Sequence, residues 1–206
     1  SGDMILSALA ALGADLAAIE KTINAFFSEP LHFHSEPASA SGLSGLRVTV
    51  HAERRAHHED HWPDAHSHGH ADEHDRRGLA EIAQLLTRSP LSDATRTRSL
   101  AVFRALAEAE AKIHGKTPET VHFHEVGAWD SVADIVGSCL ALEQLGADGV
   151  SCGPLPAGTG TLHCAHGEMP NPAPATQELL SDMAVTQTDE PFELVTPTGA
   201  ALLRVW

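Results

Sequence analysis

Hydrophobic residues recur at helical spacing over much of this chain. A helix over residues 3–12 is predicted by the spacing of Met4, Ile5, Ala8, Leu9 and Leu12. The same periodicity predicts helices over residues 15–27, 78–86, 92–114, 131–145 and 175–183. Asp15 and Ser92 are good N-cap residues, and Gly115 stands where a helix commonly ends.

Shorter segments alternate between hydrophobic and polar residues, which is typical of strands. Residues 46–50 and 121–126 show this alternation, and residues 31–35 are a weaker case. Residues 35–45 are rich in Ser, Gly and Ala, which predicts a loop. Residues 193–206 predict a strand, a tight turn and a helix. Because helices alternate with short strands, we predict an α/β or α+β fold with one mixed sheet flanked by helices.

Residues 52–76 differ in composition from the rest of the chain. They contain seven histidines, seven acidic residues and almost no apolar residue. Such a composition cannot form a packed core, so we predict a flexible loop that interrupts a single domain over residues 1–206.

The overall charge narrows the possible partners. The chain has 206 residues and a formal net charge of −15, which disfavours nucleic acid and anionic membranes and favours cations. No apolar run approaches the roughly 20 residues that span a bilayer. The three cysteines are scattered and odd in number, as expected in the reducing cytoplasm.

Histidine is the residue type that points most directly to chemistry. The chain has 15 histidines. Neutral imidazole is a ligand of nickel, copper and zinc, and the loop histidines, among them His66, His68 and His70, alternate with carboxylates that attract cations. The loop therefore predicts metal capture, although a solvated linker would have the same composition.

A second candidate metal site is the segment His122-Phe123-His124-Glu125. In a strand, His122 and His124 project from the same face with Cα atoms roughly 7 Å apart, so both imidazoles could bind one ion. Glu125 would join them if the strand ends or bulges there. The alternative is a pair of surface histidines on an edge strand.

Three further groups are candidates for site residues. Asp130 and Asp134 could share a helix face, although Ser131 with Asp134 also resembles a capping box. His163, Cys164 and His166 combine ligands that suit nickel, copper or zinc, or they form a hydrogen-bonded structural group. Thr196, Thr198 and Gly199 precede a helix whose N–H groups could bind phosphate, with N-capping by Thr198 as the structural alternative.

Taken together, these segments resemble the LarC family of nickel-insertion proteins. The resemblance covers nearly the whole chain in the family's order: SGDMIL at residues 1–6, the histidine-rich loop with RGL at 77–79, LAEAEAKIHG at 106–115, HFHEVGA at 122–128 with Asp130 and Ser131, DIVG at 134–137, AHGEMP at 165–170 with PAPAT at 172–176, and ELVTPTGAA at 193–201.

The resemblance implies a cytoplasmic nickel chelatase. The implied substrate is a pyridinium-3,5-bisthiocarboxylic acid mononucleotide, which receives nickel(II) to become the nickel-pincer cofactor of lactate racemase. CTP hydrolysis accompanies insertion in this family, and CTP and a divalent metal bind a C-terminal domain that also forms homo-oligomers. We therefore expect this chain to be the N-terminal metal and substrate domain of a longer protein, without the CTP-binding domain. The lactate racemase apoprotein is the expected acceptor of the cofactor.

Within that interpretation, His122 and His124 would hold nickel and Glu125 would take a proton from the substrate ring. Asp130 and Asp134 are further catalytic candidates, and His163, Cys164 and His166 are further ligands. A different class of protein remains possible from the residues alone, namely a nickel storage or metallochaperone module that uses the flexible loop. A zinc-dependent hydrolase is a weaker alternative because the H-E-x-x-H motif is absent.

Overall fold

The computed structural model describes residues 2–52, 77–123, 128–164 and 167–206. The helices in these ranges are α1 Gly2–Ala11, α2 Leu16–Asn24, α3 Leu79–Thr87, α4 Asp93–His114, α5 Trp129–Gln144, α6 Pro174–Leu179 and α7 Pro197–Val205. The strands are β1 Leu31–Ala40, β2 Leu43–Ala52, β3 Leu155–Ala157, β4 Thr161–Cys164, β5 Gly167–Pro170 and β6 Val185–Gln187. The mixed α/β class predicted from the sequence is confirmed.

Three capping residues predicted from the sequence, Asp15, Ser92 and Gly115, start or end their helices as expected. The Asp15 side chain accepts a hydrogen bond from the backbone N–H of Ala18, and Ser92 does the same for Thr95. Gly115 ends α4 in the left-handed conformation at a φ of 62°, which glycine adopts without steric cost.

The strand prediction needs two corrections. The segment 35–45 is not a loop, because β1 and β2 continue through it as an antiparallel hairpin. The described strands also form three two-stranded sheets, β1–β2, β3–β6 and β4–β5, rather than one mixed sheet. Near the turn of the hairpin, both faces of the two strands are exposed to solvent. Hydrophobic and polar residues therefore do not alternate there, and the sequence shows no strand pattern.

Two other predicted strands are not seen in the part of the chain that the structure describes. Within residues 121–123, His122 forms an isolated bridge with Gly78, while residues 124–126 lie outside the described residues; residues 193–195 form no strand before α7. The predicted loop over residues 52–76 lies almost entirely outside the described residues, and the single-domain boundary remains a prediction.

The core is built around α5. Most of this helix is buried, including Val132, Ile135, Val136, Cys139 and Leu142, and it packs against α1, α2, α4, α7 and β2. A Cβ added to Gly137 would lie 3.5–3.6 Å from the side chains of Ile19 and Leu6, in ordinary van der Waals contact, so these two side chains pack directly over this glycine. The hydrophobic cluster continues from Leu6 in α1 to Leu202 in α7.

A serine connects α1 to the hairpin. The Ser7 hydroxyl donates to the Asp3 carbonyl at 2.6 Å and accepts from the Val48 backbone N–H at 2.8 Å. This fixes the first turn of α1 relative to β2. None of the described helices is long and apolar enough to cross a lipid bilayer.

The Ser92 cap provides a test of the packing of α4 on α5. Its hydroxyl accepts from Thr95 N–H at 3.0 Å and donates to the Glu143 carboxylate of α5 at 2.9 Å. Replacing Ser92 with Ala should therefore lower the free energy of unfolding by about 1 kcal/mol, measured by urea denaturation. Ser44→Ala on the exposed hairpin is the control and should leave the midpoint unchanged. Equal midpoints for both variants would contradict the prediction.

Candidate functional site

The first turn of α5 places its two aspartates differently from the capping-box prediction. The helix begins at Trp129 with Ala128 as N-cap, so Ser131 and Asp134 do not form a capping pair. Asp130 instead accepts a hydrogen bond from the Ser131 N–H at 2.8 Å, and its side chain is exposed. Asp134 is one turn further into the helix. Its carboxylate is thus free of a capping role.

Asp134 lies where the beginnings of α1 and α7 meet α5. A Cβ built on Gly2 would lie 2.9 Å from Asp134 Oδ2 and 3.0 Å from the Thr198 methyl carbon. Only a residue without a side chain allows this approach, so Gly2 lets α1 pack directly onto the carboxylate. The backbone N–H of Asp3 also donates a hydrogen bond to it.

This environment disfavours the charged form of Asp134. Burial, and after it the negative charges of Asp3 and Asp130, raise the pKa of its carboxyl from 3.8 to about 7, against the lowering effects of the N-terminal amino group and of the Asp3 N–H. A carboxyl with a pKa near neutrality can accept or release a proton under physiological conditions, as a general base or acid requires.

The turn before α7 also differs from the prediction. Thr196, not Thr198, is the N-cap, and its hydroxyl accepts from the Gly199 N–H at 3.4 Å. Thr198 is therefore in the first turn, where its methyl group is close to Gly2, and Gly199 is buried. Thr198 and the Asp134 carboxylate thus both lie against Gly2.

The segment around His122 follows the predicted alternation as far as it is described. Val121 and Phe123 are each 1% exposed, and His122 between them is exposed to solvent. The Phe123 N–H donates to the Arg77 carbonyl at 3.2 Å, next to the bridge between His122 and Gly78. The imidazole of His122 is therefore available to a ligand.

Arg77 connects this segment with the start of α5. Its guanidinium carbon lies 3.7 Å from the ring centroid of Trp129, the first residue of α5. The Trp129 ring packs in turn on Phe27, with centroids 4.5 Å apart. The segment that carries His122 is thus connected to the start of α5 through Arg77.

The group around His163 is only partly described. His163 is exposed in β4 and pairs across the sheet with Glu168 of β5. The backbone of Cys164 pairs with Gly167, and the side chain of Cys164 and all of His166 lie outside the described residues. Whether the three side chains bind one metal remains a prediction.

All of the predicted metal ligands therefore remain predictions. The candidate positions that fall outside the described residues are His66, His68, His70, His124, Glu125 and His166. Within the described ranges, no three His, Cys, Asp or Glu side chains are already gathered around one point. The structure therefore describes the surroundings of His122 and not a complete metal centre.

Sequence reasoning overlooked Gly2 and Asp3 as site residues. Both belong to the first motif of the family resemblance, but neither is a conspicuous ligand by spacing. Their role depends on the contact of α1 with α5, more than 120 residues later in the chain. The Gly-Asp pair at the start of α1 was the feature of the sequence that could have indicated their place at the site.

The pKa of Asp134 has a consequence for stability. Because this pKa is raised in the folded protein, the stabilising contribution is complete below pH 3.8 and is lost as the pH rises through about 7. Asp134→Asn stays neutral and can still accept from the Asp3 N–H. It should unfold at a higher temperature than the parent at pH 8 and show little difference at pH 4. One pKa unit corresponds to about 1.4 kcal/mol, so a gain of several degrees is expected in thermal unfolding.

The control for this measurement is Asp148→Asn, at an exposed aspartate beyond the end of α5. It should follow the parent at both pH values. If the unfolding temperatures of the parent and of Asp134→Asn depended on pH in the same way, the prediction would be contradicted. Ionisation of Asp134 would then not lower the free energy of unfolding.

Comparison with known proteins assigns the chain to a family. A family model described as "Nickel insertion protein" matches residues 1–206. A pyridinium-3,5-bisthiocarboxylic acid mononucleotide nickel insertion protein of Akkermansia muciniphila is 43% identical over 209 residues, covering 98% of this chain and 48% of the relative. A protein of the same name from Staphylococcus saprophyticus is 38% identical over 204 residues, covering 99% and 48%. The chain thus spans about half the length of these relatives. No solved structure gave a significant match. On this evidence the chain belongs to the nickel insertion protein family.

Proposed function

We propose that this chain forms the metal- and substrate-binding part of a protein that inserts nickel(II) into pyridinium-3,5-bisthiocarboxylic acid mononucleotide. The observation that carries the proposal is the family match over residues 1–206, together with relatives named for this insertion. The product would be the nickel-pincer cofactor of lactate racemase, whose apoprotein would be the acceptor. The reaction class is that of a chelatase, a lyase.

The remaining parts of the proposal concern the longer protein. Because the chain covers 48% of its relatives, we assign CTP hydrolysis, its divalent metal and homo-oligomer formation to the region outside this chain. We place the protein in the cytoplasm, where free thiols such as the exposed Cys152 stay reduced.

Nickel is the metal substrate, and His122 with His124 are its proposed first ligands. The exposure of His122 between two buried neighbours supports this role, because the backbone is fixed while the imidazole faces solvent. We propose that His163, Cys164 and His166 either complete the coordination of the ion or receive the ion from His122 and His124. Imidazole and thiolate together suit nickel chemically.

Insertion requires a base. Nickel(II) binds the two sulfur atoms of the substrate, a ring C–H bond breaks, and its electron pair forms the nickel–carbon bond while a proton leaves. No oxidant or reductant is needed. Glu125 follows His124 directly and is one candidate acceptor of this proton. Asp134 is the better supported candidate among the described residues, because its pKa of about 7 suits proton transfer near neutral pH.

The substrate phosphate is proposed to bind near Thr196, Thr198 and Gly199. The start of α7 favours an anion, whereas Asp134 beside it would repel one when charged. The ring proton that Asp134 is proposed to accept during insertion would remove that repulsion. Proton transfer to Asp134 would therefore relieve the unfavourable interaction with the phosphate.

The proposed nickel ligands can be tested in the full-length protein. Replacing His122 and His124 together with Ala should abolish cofactor maturation, measured as nickel-pincer nucleotide formed from the purified substrate, nickel and CTP. His114→Ala at the end of α4 is the control, because it removes a histidine elsewhere in the fold. Normal maturation by the double variant would rule out this pair as essential ligands.

Deleting residues 57–74 separates insertion from storage. An insertion enzyme should keep a tight nickel site and should still mature the cofactor when nickel is plentiful, since the loop would serve capture alone. A storage or metallochaperone module would lose nearly all bound nickel. Equilibrium dialysis at limiting and at excess nickel, combined with the maturation assay, distinguishes these outcomes.

A further inference from the structure

We propose that the outer face of the β1–β2 hairpin is a second metal site, at which His32 and His51 bind a divalent transition metal ion. The site itself is argued from the hairpin geometry, and the choice of nickel(II) as its ion rests on the proposed function. Such a site would present nickel at the protein surface, apart from the residues proposed for insertion.

The register of the hairpin brings the two histidines together. His32 of β1 is the direct cross-strand partner of His51 of β2. Side chains of directly opposed residues in an antiparallel pair have Cβ atoms roughly 4.5–5.5 Å apart on the same face. Two imidazoles at this separation can bind one ion together. The ion would be bound more tightly by the pair than by either histidine alone.

The inner face of the hairpin fixes that arrangement. Leu31 of β1 and Val48 of β2 are fully buried, so their neighbours His32 and Thr49 must point outward. A slip of one residue in register would bury the histidines and expose the core residues. The cross-strand pair is therefore held by the hydrophobic core.

The imidazoles themselves are free to turn toward an ion. The side chain of His32 is 59% exposed and that of His34, two residues along the same face, is 66% exposed. His51 is exposed as well. These side chains do not converge on one point in the present arrangement. A bound ion would draw His32 and His51 together, with His34 or water at further positions.

Glu20 of α2 orients one of the ligands. One carboxylate oxygen accepts from the Phe33 backbone N–H at 2.8 Å, which holds the carboxylate beside β1. The other lies 3.7 Å from His32 Nδ1. This separation is longer than a hydrogen bond, and a small rotation of the imidazole would close it. A carboxylate bound to one ring nitrogen commonly orients the other for a metal, and this one would leave Nε2 available.

The charges on this face favour a cation. Glu20 and Glu36 supply two negative charges, and Glu36 lies 4.0 Å from His34 Nε2. Arg47 is the one cation of the outer face among the described hairpin residues, and it lies 3.7 Å from Glu36, which offsets its charge. Imidazole donors with a nearby carboxylate suit nickel, copper or zinc better than calcium or magnesium.

The test uses the full-length protein with the seven loop histidines at 57–74 replaced by Gln, so that the loop does not compete. Nickel chloride is the probe. Carbethoxylation of histidines by diethyl pyrocarbonate, mapped by peptide mass spectrometry, reports each imidazole separately. Nickel should protect His32 and His51, and equilibrium dialysis should show that His51→Gln binds one ion fewer per chain.

Two variants distinguish ligation from a structural effect. Glu20→Gln can still accept from the Phe33 N–H but cannot accept from His32, so nickel binding at the hairpin should weaken roughly tenfold without loss of thermal stability. His114→Gln, which removes a histidine that also has a carboxylate neighbour, should leave the stoichiometry unchanged.

Two results would overturn the proposal. His32 and His51 could react equally with and without nickel, or His51→Gln could bind as many ions as the parent. Cofactor maturation is a separate readout: the variant lacking His122 and His124 should keep hairpin protection while maturation fails. Absent protection with normal maturation would therefore disprove the hairpin site and leave the insertion function intact.

Discussion

The burial of α5 is the constraint on which the described fold depends. Helices α1, α2, α4 and α7 and the strand β2 all pack on it, and the side chains of Leu6 and Ile19 lie directly over Gly137. A helix surrounded in this way can carry charged groups only near its ends. Its first turns, with Trp129, Asp130 and Asp134, are consequently where the core meets the segments that could bind substrate.

That position gives Asp134 its chemistry. The carboxylate is enclosed by α1 and α7 but keeps a backbone N–H donor from Asp3, so neither its charged nor its neutral form is strongly excluded. An aspartate on the surface would be ionised at neutral pH and a poor proton acceptor. Folding thus converts an ordinary carboxyl group into one whose pKa matches the working pH of a base.

The sequence predicted those features that depend on neighbours along the chain. The helix spans and the caps at Asp15 and Ser92 are local, and the structure confirms them. The turn end of the hairpin, residues 35–45, is exposed on both faces and so lacks the alternation of a half-buried strand. For this reason the sequence predicts a loop there. The pairing of His32 with His51 and the approach of Gly2 to Asp134 were not predicted, since both depend on contacts between distant segments.

The pH dependence of the proposed nickel insertion tests the proposed role of Asp134 most directly. The measurement is the initial rate of nickel-pincer nucleotide formation by the full-length protein between pH 5 and 9, for the parent and for Asp134→Asn. If Asp134 accepts the ring proton, the parent rate should rise with a midpoint of about 7, and the variant should be slow across the range without that rise. A variant with the parent's rate and pH profile would contradict this role.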